Sequence, residues 1–198
     1  EELLRLAYGT FSPGRVQRYL STPPSGWVLA ELDGVAVATG GCIGYPSGGF
    51  GWVGPIATHP SFERRGLGRI VTQWLIDVLR DAGCAPALDA SDAGAPVYTR
   101  MGFADHGLGT VMQVPADLVI GDAPSSGVEV VTMASLGDVA HYDAARFGAD
   151  RHHLLAYFLE RGVGRMLALR DDDGSLRGYV LAQADVLGPF VADDAAAI

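Results

Sequence analysis

A chain of 198 residues with 48% apolar side chains is long enough to bury a sizeable core, as one large domain or two small ones. Its net charge of −9 argues against a nucleic-acid partner, and all 14 basic residues are arginine, which excludes a phosphate-loop lysine, a kinase lysine and Schiff-base chemistry. No stretch approaches the ~18 uninterrupted apolar residues of a membrane span, and the first residues lack a signal-peptide pattern, so a cytoplasmic protein without membrane contact is expected.

In chain order, residues 1–7 read as the tail of a helix and residues 13–20 as a second helix, closed by "STPPSG". "WVLAELDGVAVATGGCIG" is two β-type runs joined by Asp33-Gly34, a dipeptide suited to a two-residue hairpin because both positions accept positive φ. Cys42, in that run, and Cys84 have no metal-ligand spacing and read as small buried side chains; no metal is expected. "FGWVGPIATH" gives a third strand, ended by Pro60. From Gly66 the apolar residues Leu67, Ile70, Val71, Trp74, Leu75, Val78 and Leu79 fall at the spacing of one buried helix face, until Gly83 stops it. "APALDA" reads as a short strand, "GAPVYTRM" as a short helix and "GTVMQV" as a strand. This alternation predicts an α/β fold.

After "PADLVIGDAPSSG" the pattern begins again. "VEVVTM" predicts a strand, Ser135 followed by Asp138 a capping-box-like helix start, "HHLLAYFLERG" a helix and "MLALRDDDGSLRGYVLAQA" a hairpin. Gly54-Pro55 and Gly188-Pro189 both precede a final apolar run, so the order of elements and its Gly-Pro recur. The expected organisation is residues 1–114 as a first domain, 115–127 as a linker and 128–198 as a partial, diverged second copy. Charge divides along the same line: residues 1–114 carry 10 acids and 8 arginines, a net of −2, and residues 115–198 carry 13 acids and 6 arginines, a net of −7.

The stretch "IATHPSFERRGLGR" carries the chemistry. A helix N-terminus has unpaired N–H groups and partial positive charge, and glycines there admit a phosphate to the backbone. Five residues separate Pro60 from Gly66, and Gly66-x-Gly68 opens the helix. Downstream, in "LDASDAGAPVYTRMGF", Ser91 stands seven residues before Tyr98, and Gly102-Phe103 follow. Together these resemble the GNAT superfamily of acetyl-CoA-dependent N-acetyltransferases. That family's pyrophosphate loop reads Gln/Arg-x-x-Gly-x-Gly/Ala after a strand ending in a His-Pro-like turn, and its members commonly place an Asn seven residues before a Tyr. Glu63 departs from the Gln/Arg position, and Ser91 replaces the Asn.

The resemblance, carried best by residues 27–114, implies a GNAT-like mixed twisted sheet flanked by helices, in tandem with a partial second copy, the family's first strand preceding Glu1. It implies acetyl-CoA as cosubstrate, with Ile56, Ala57 and Thr58 pairing with the pantetheine arm, the backbone of Arg64, Arg65, Gly66, Leu67, Gly68 and Arg69 holding the pyrophosphate, and Ser91 at the Asn position of the cofactor site. Tyr98 is then the general acid that protonates the leaving thiolate. The position of a family general base is held here by Pro86; Asp89 is the nearest carboxylate in sequence and reads as a structural acceptor, as His59 reads as part of the turn. The implied acceptor is a primary amine of a small cationic molecule, favoured by the acidic second half, with Arg151, His152, His153 and Tyr157 as candidates to line its cleft. A non-catalytic acyl-CoA sensor and an acetyltransferase acting on protein amino termini or lysines are the alternatives, and a homodimer is left open.

Overall fold

The computed structural model describes residues 2–9, 15–22, 24–109, 127–184 and 186–194. The chain divides into two compact units, Glu1–Gly109 and Thr110–Ile198.

The first unit begins with two short helices, α1 (Glu2–Tyr8) and α2 (Arg15–Ser21). Strands β1 (Ser25–Leu32) and β2 (Val35–Tyr45) form the expected hairpin: Asp33 and Gly34 both take positive φ, 50° and 77°. A 3-10 turn leads into β3 (Phe50–Thr58), antiparallel to β2. Helix α3 (Leu67–Asp81) crosses back to β4 (Ala85–Ala87), which runs parallel to β3, so the sheet order is β1-β2-β3-β4. Helix α4 (Ala95–Arg100) follows. The predicted strand "GTVMQV" lies outside the described residues, apart from Gly109, as do most of the linker and the start of the second predicted helix.

The buried stripe of α3 is not the one the spacing suggests. Val71, Thr72, Leu75, Ile76 and Leu79 are buried, whereas Ile70 and Trp74 are exposed. The apolar arc of the helix is wider than the sheet beneath it. Ile70 and Trp74 fall on its margin, where a Cβ on Gly26 of β1 would come within 3.3 Å of the Trp74 ring. Packing of this stripe against Ala38, Cys42 and Val53 forms the core, and α1 covers the other face through Leu3 and Leu4 against Ala57.

In the second unit β5 (Val128–Val130), β6 (Arg165–Arg170), β7 (Leu176–Ala182) and β8 (Leu187–Ala192) pair in that order, all antiparallel. Helices α5 (Leu136–Phe147) and α6 (His152–Glu160) bury Leu136, Val139, Leu155 and Phe158 with Met166 and Leu181. The capping box expected at Ser135 does not form. Its hydroxyl accepts the Thr132 N–H at 3.0 Å, and Asp138 faces Arg170 at 3.4 Å. Arg151 is no cleft residue either. Its guanidinium is buried in a two-pronged ion pair with Asp143, both hydrogen bonds 2.7 Å, and Tyr179 donates to the same carboxylate at 2.6 Å. Desolvating a charge is tolerable only with such pairing.

Candidate functional site

The site is built on the second half of β3. Among the described residues, pairing with β4 covers Phe50, Gly51 and Trp52, and beyond them β3 pairs with β2 alone. A β-bulge falls just where the two part. Gly40 is opposite Ile56 and Cys42 opposite Val53, so Gly54 and Pro55 face the single residue Gly41. A bulge bends the strand and increases its twist, which turns β3 away from β4 and leaves one edge open.

Alternation then fixes which backbone groups line that edge. His59 donates its N–H to Val37 O at 2.8 Å, so in antiparallel pairing Ala57 faces β2 as well. Ile56 and Thr58 consequently aim their N–H and C=O groups at the open side. Ala57, expected to pair with the pantetheine arm, instead spends its backbone on β2 and buries its methyl against Leu3 and Leu4.

Past Thr58 the chain makes a tight 3-10 turn, Pro60–Phe62, which His59 caps by accepting the Ser61 N–H on Nδ1 at 3.1 Å. His59 is therefore a turn residue, as expected. Glu63 closes the turn with its N–H to Pro60 O, and its carboxylate is exposed to water. Arg64 takes a left-handed φ of 59°, and Arg65 lies over the Phe62 ring, 5.0 Å from its centroid. Gly66 caps α3 with φ 80° and open space where a side chain would stand. No acidic residue occupies the first turn of α3, and Arg64, Arg65 and Arg69 are exposed around it. Gly68 packs toward β3: a Cβ there would lie 3.4 Å from Thr58 Oγ1 and 3.9 Å from Ile56. Open strand edge and helix N-terminus thus adjoin.

Ser91 organises the start of α4. Its hydroxyl accepts the Gly94 N–H at 3.2 Å, and its carbonyl accepts from Gly94 and Ala95. Tyr98, half-buried on α4, lies edge-on to Phe103, and the space beside Gly94 is shared by the Tyr98 ring and Ser91 Oγ. Burial pushes the Tyr98 phenol above its ordinary pKa of 10.0, and the nearby Tyr8 adds to the rise. Tyr8 ties the two motifs together: its hydroxyl donates to Ile56 O at 2.6 Å and accepts the Ile56 N–H at 3.2 Å. No sequence spacing links Tyr8 to Ile56 or Tyr98, and residue type alone, an aromatic at a helix end, marks nothing.

Pro86 lies in β4 opposite Gly51, and Asp89 is exposed just beyond. Burial pushes the Cys42 thiol up to about 11, so it stays protonated and unreactive at neutral pH. In the second unit His152 and His153 open α6 on its exposed side, burial lowering the His153 pKa, while Tyr157 packs partly into that unit's core. Among the described residues no group of three His, Cys, Asp or Glu side chains could hold a metal ion, and no helix is long and apolar enough to cross a membrane.

The chain is similar to known proteins. A presumed acetyltransferase of Pyrococcus horikoshii is 26% identical, with a TM-score of 0.76 over 98% of this chain and 66% of its own, so the present chain spans less than two thirds of that protein. An acetyltransferase of Trypanosoma brucei (22% identity, 57% and 89% of the two chains, TM-score 0.47) is similar over part of the chain. So is the glucosamine-6-phosphate N-acetyltransferase of Arabidopsis thaliana (18%, 58% and 88%, TM-score 0.48). Among curated proteins, none matches. The sequence model of the Acetyltransferase (GNAT) family matches residues 1–103, more than half of the chain, and the protein belongs to that family.

Proposed function

We propose that this chain is an N-acetyltransferase that passes the acetyl group of acetyl-CoA to a primary amine of a small cationic molecule by direct attack. The observation that carries the reading is the open edge of β3 running into the glycine-capped N-terminus of α3, with the Tyr98 phenol nearby. An extended amide chain fits the edge, because Ile56 and Thr58 offer N–H and C=O groups as a neighbouring strand would. Phosphates fit the helix start, where Gly66 leaves space beside unpaired N–H groups and Arg64, Arg65 and Arg69 add positive charge. Glu63 opposes this only weakly, since its exposed carboxylate is screened by water.

Tyr98 then supplies the proton that the departing thiolate takes up, and its raised pKa keeps that proton in place through neutral pH. The amine loses its proton to water, no side chain being assigned as base. Residues 128–198 are proposed as a partial, degenerate second GNAT-like copy that helps to shape the acceptor site. Gly54 and Gly188 support the repeat, each preceding a proline with φ of 144° and 146°. The net charge of −9 favours a cationic acceptor.

Acetyl-CoA at a hundred times its dissociation constant should raise the unfolding free energy by about 2.7 kcal/mol. Thiol release should follow with at least one of a panel of diamines and amino-acid amides, and Tyr98→Phe should lower kcat by about 10²-fold or more while acetyl-CoA binding persists. Absence of stabilisation at saturating acetyl-CoA defeats the reading. Binding without turnover on any amine points to an acyl-CoA sensor, and turnover of peptides alone to a protein acetyltransferase.

A further inference from the structure

Tyr8 treats β3 as a neighbouring strand would. One hydroxyl both donates to the C=O and accepts from the N–H of the same residue, Ile56, at 2.6 and 3.2 Å, from 48 positions away in sequence. Such a donor–acceptor pair is what the N–H of one amide and the C=O of the next would present in an extended chain laid along the edge. The tyrosine is also placed to leave. Leu3 and Leu4 anchor α1 in the core, whereas Tyr8 is its last residue and 51% exposed. Gly9, in the left-handed region at φ 73°, ends the helix behind it.

We propose that the Tyr8 hydroxyl is a displaceable placeholder for the amide groups of the pantetheine arm on the open edge of β3, and so sets the affinity of the chain for acyl-CoA thioesters. The inference rests on the acetyltransferase reading above. Binding has to break two hydrogen bonds that the ligand then remakes, so part of the gain from seating the amides is cancelled. Removing the hydroxyl removes the competitor. A probe without the arm never reaches Ile56 and is indifferent to the change.

Titration calorimetry on the whole chain tests this with acetyl-CoA and with adenosine 3′,5′-bisphosphate, which lacks the arm. Tyr8→Phe and Tyr8→Leu should each bind acetyl-CoA about fivefold more tightly than the wild type, the equivalent of one hydrogen bond's net worth, with the bisphosphate unchanged. Two variants are needed in case one fails to fold, which near-ultraviolet circular dichroism reports. Unchanged or weaker acetyl-CoA binding in a folded variant overturns the placeholder, as does an equal gain for the bisphosphate. If the wild type itself binds no acetyl-CoA, the acetyltransferase reading falls and this inference with it; if it binds and the variants gain nothing, only the inference about Tyr8 falls.

Discussion

Gly66 and Gly68 differ in what they need. Gly66 sits at φ 80° with nothing within 4 Å of a Cβ, so its requirement is backbone conformation; Gly68 has no positive φ, and its Cβ would make ordinary contact with Thr58. Gly66→Ala should therefore destabilise the first unit by about 1–3 kcal/mol and weaken acetyl-CoA binding, whereas Gly68→Ala should bind acetyl-CoA within about threefold of the wild type. Denaturant melts and calorimetry on both variants check the contrast, and equal losses would refute it. The sequence makes Gly66 legible, because a glycine at the mouth of a strongly periodic helix has few other uses. It leaves Tyr8 invisible: two hydrogen bonds across 48 residues depend on where α1 docks, and no local pattern encodes docking.

At the scale of elements, α4 is held against its loop by Ser91, and Gly94 lies between that serine and Tyr98. A Cβ at residue 94 would stand 3.0 Å from Tyr98 Cε2 and 3.3 Å from Ser91 Oγ, closer than ordinary packing allows. The backbone at Gly94, φ −83° and ψ −35°, accepts any residue. Gly94→Ala should thus leave the fold intact and push the phenol aside by a few tenths of an ångström, lowering kcat about tenfold at unchanged acetyl-CoA affinity. Steady-state rates beside a binding titration decide it, and wild-type kcat would show that the ring's position is immaterial. The existence of α3, the hairpin at Asp33-Gly34 and the order of strands and helices are legible from periodicity and turn chemistry. The face of α3 is misread at Ile70 and Trp74, because periodicity gives the apolar arc and not the width of the sheet that covers it. The separation of β3 from β4 is likewise absent from the pattern, since a bulge is a property of pairing between two strands.

Across the whole molecule the two units rest on different chemistry. The first has an apolar core with thiols, and the second adds ionic and phenolic ties around its sheet. One tie should make stability depend on pH at both ends. Tyr142 lies under Arg146, whose charge favours the phenolate, yet burial and a 2.9 Å hydrogen bond to Asp193 push its pKa from 10.0 to about 12. That bond and the Arg146 contact hold Asp193 below its ordinary 3.8. A raised folded pKa contributes stability that is complete below pH 10.0 and is lost as pH rises toward about 12. The depressed carboxyl contributes above 3.8 and is lost as pH falls below it. Unfolding free energy of the second unit should therefore fall at both extremes, and Tyr142→Phe should flatten the alkaline limb; an unaltered limb in that variant would exclude the phenol as its source. That a second unit with its own sheet follows the first is foreshadowed by the repeated order of elements. Its buried Asp143–Arg151–Tyr179 cluster is not, because an arginine at a helix start reads as solvated until three separate elements close around it.

The open half of β3 is also a solubility problem. A short apolar strand segment with unspent N–H and C=O groups is the surface along which separate molecules zip into aggregates. Here Tyr8 keeps the pair at Ile56 occupied. The same hydroxyl that competes with a ligand thereby acts as a stopper against self-association, and an empty protein that bound acyl-CoA more eagerly would also be a stickier one.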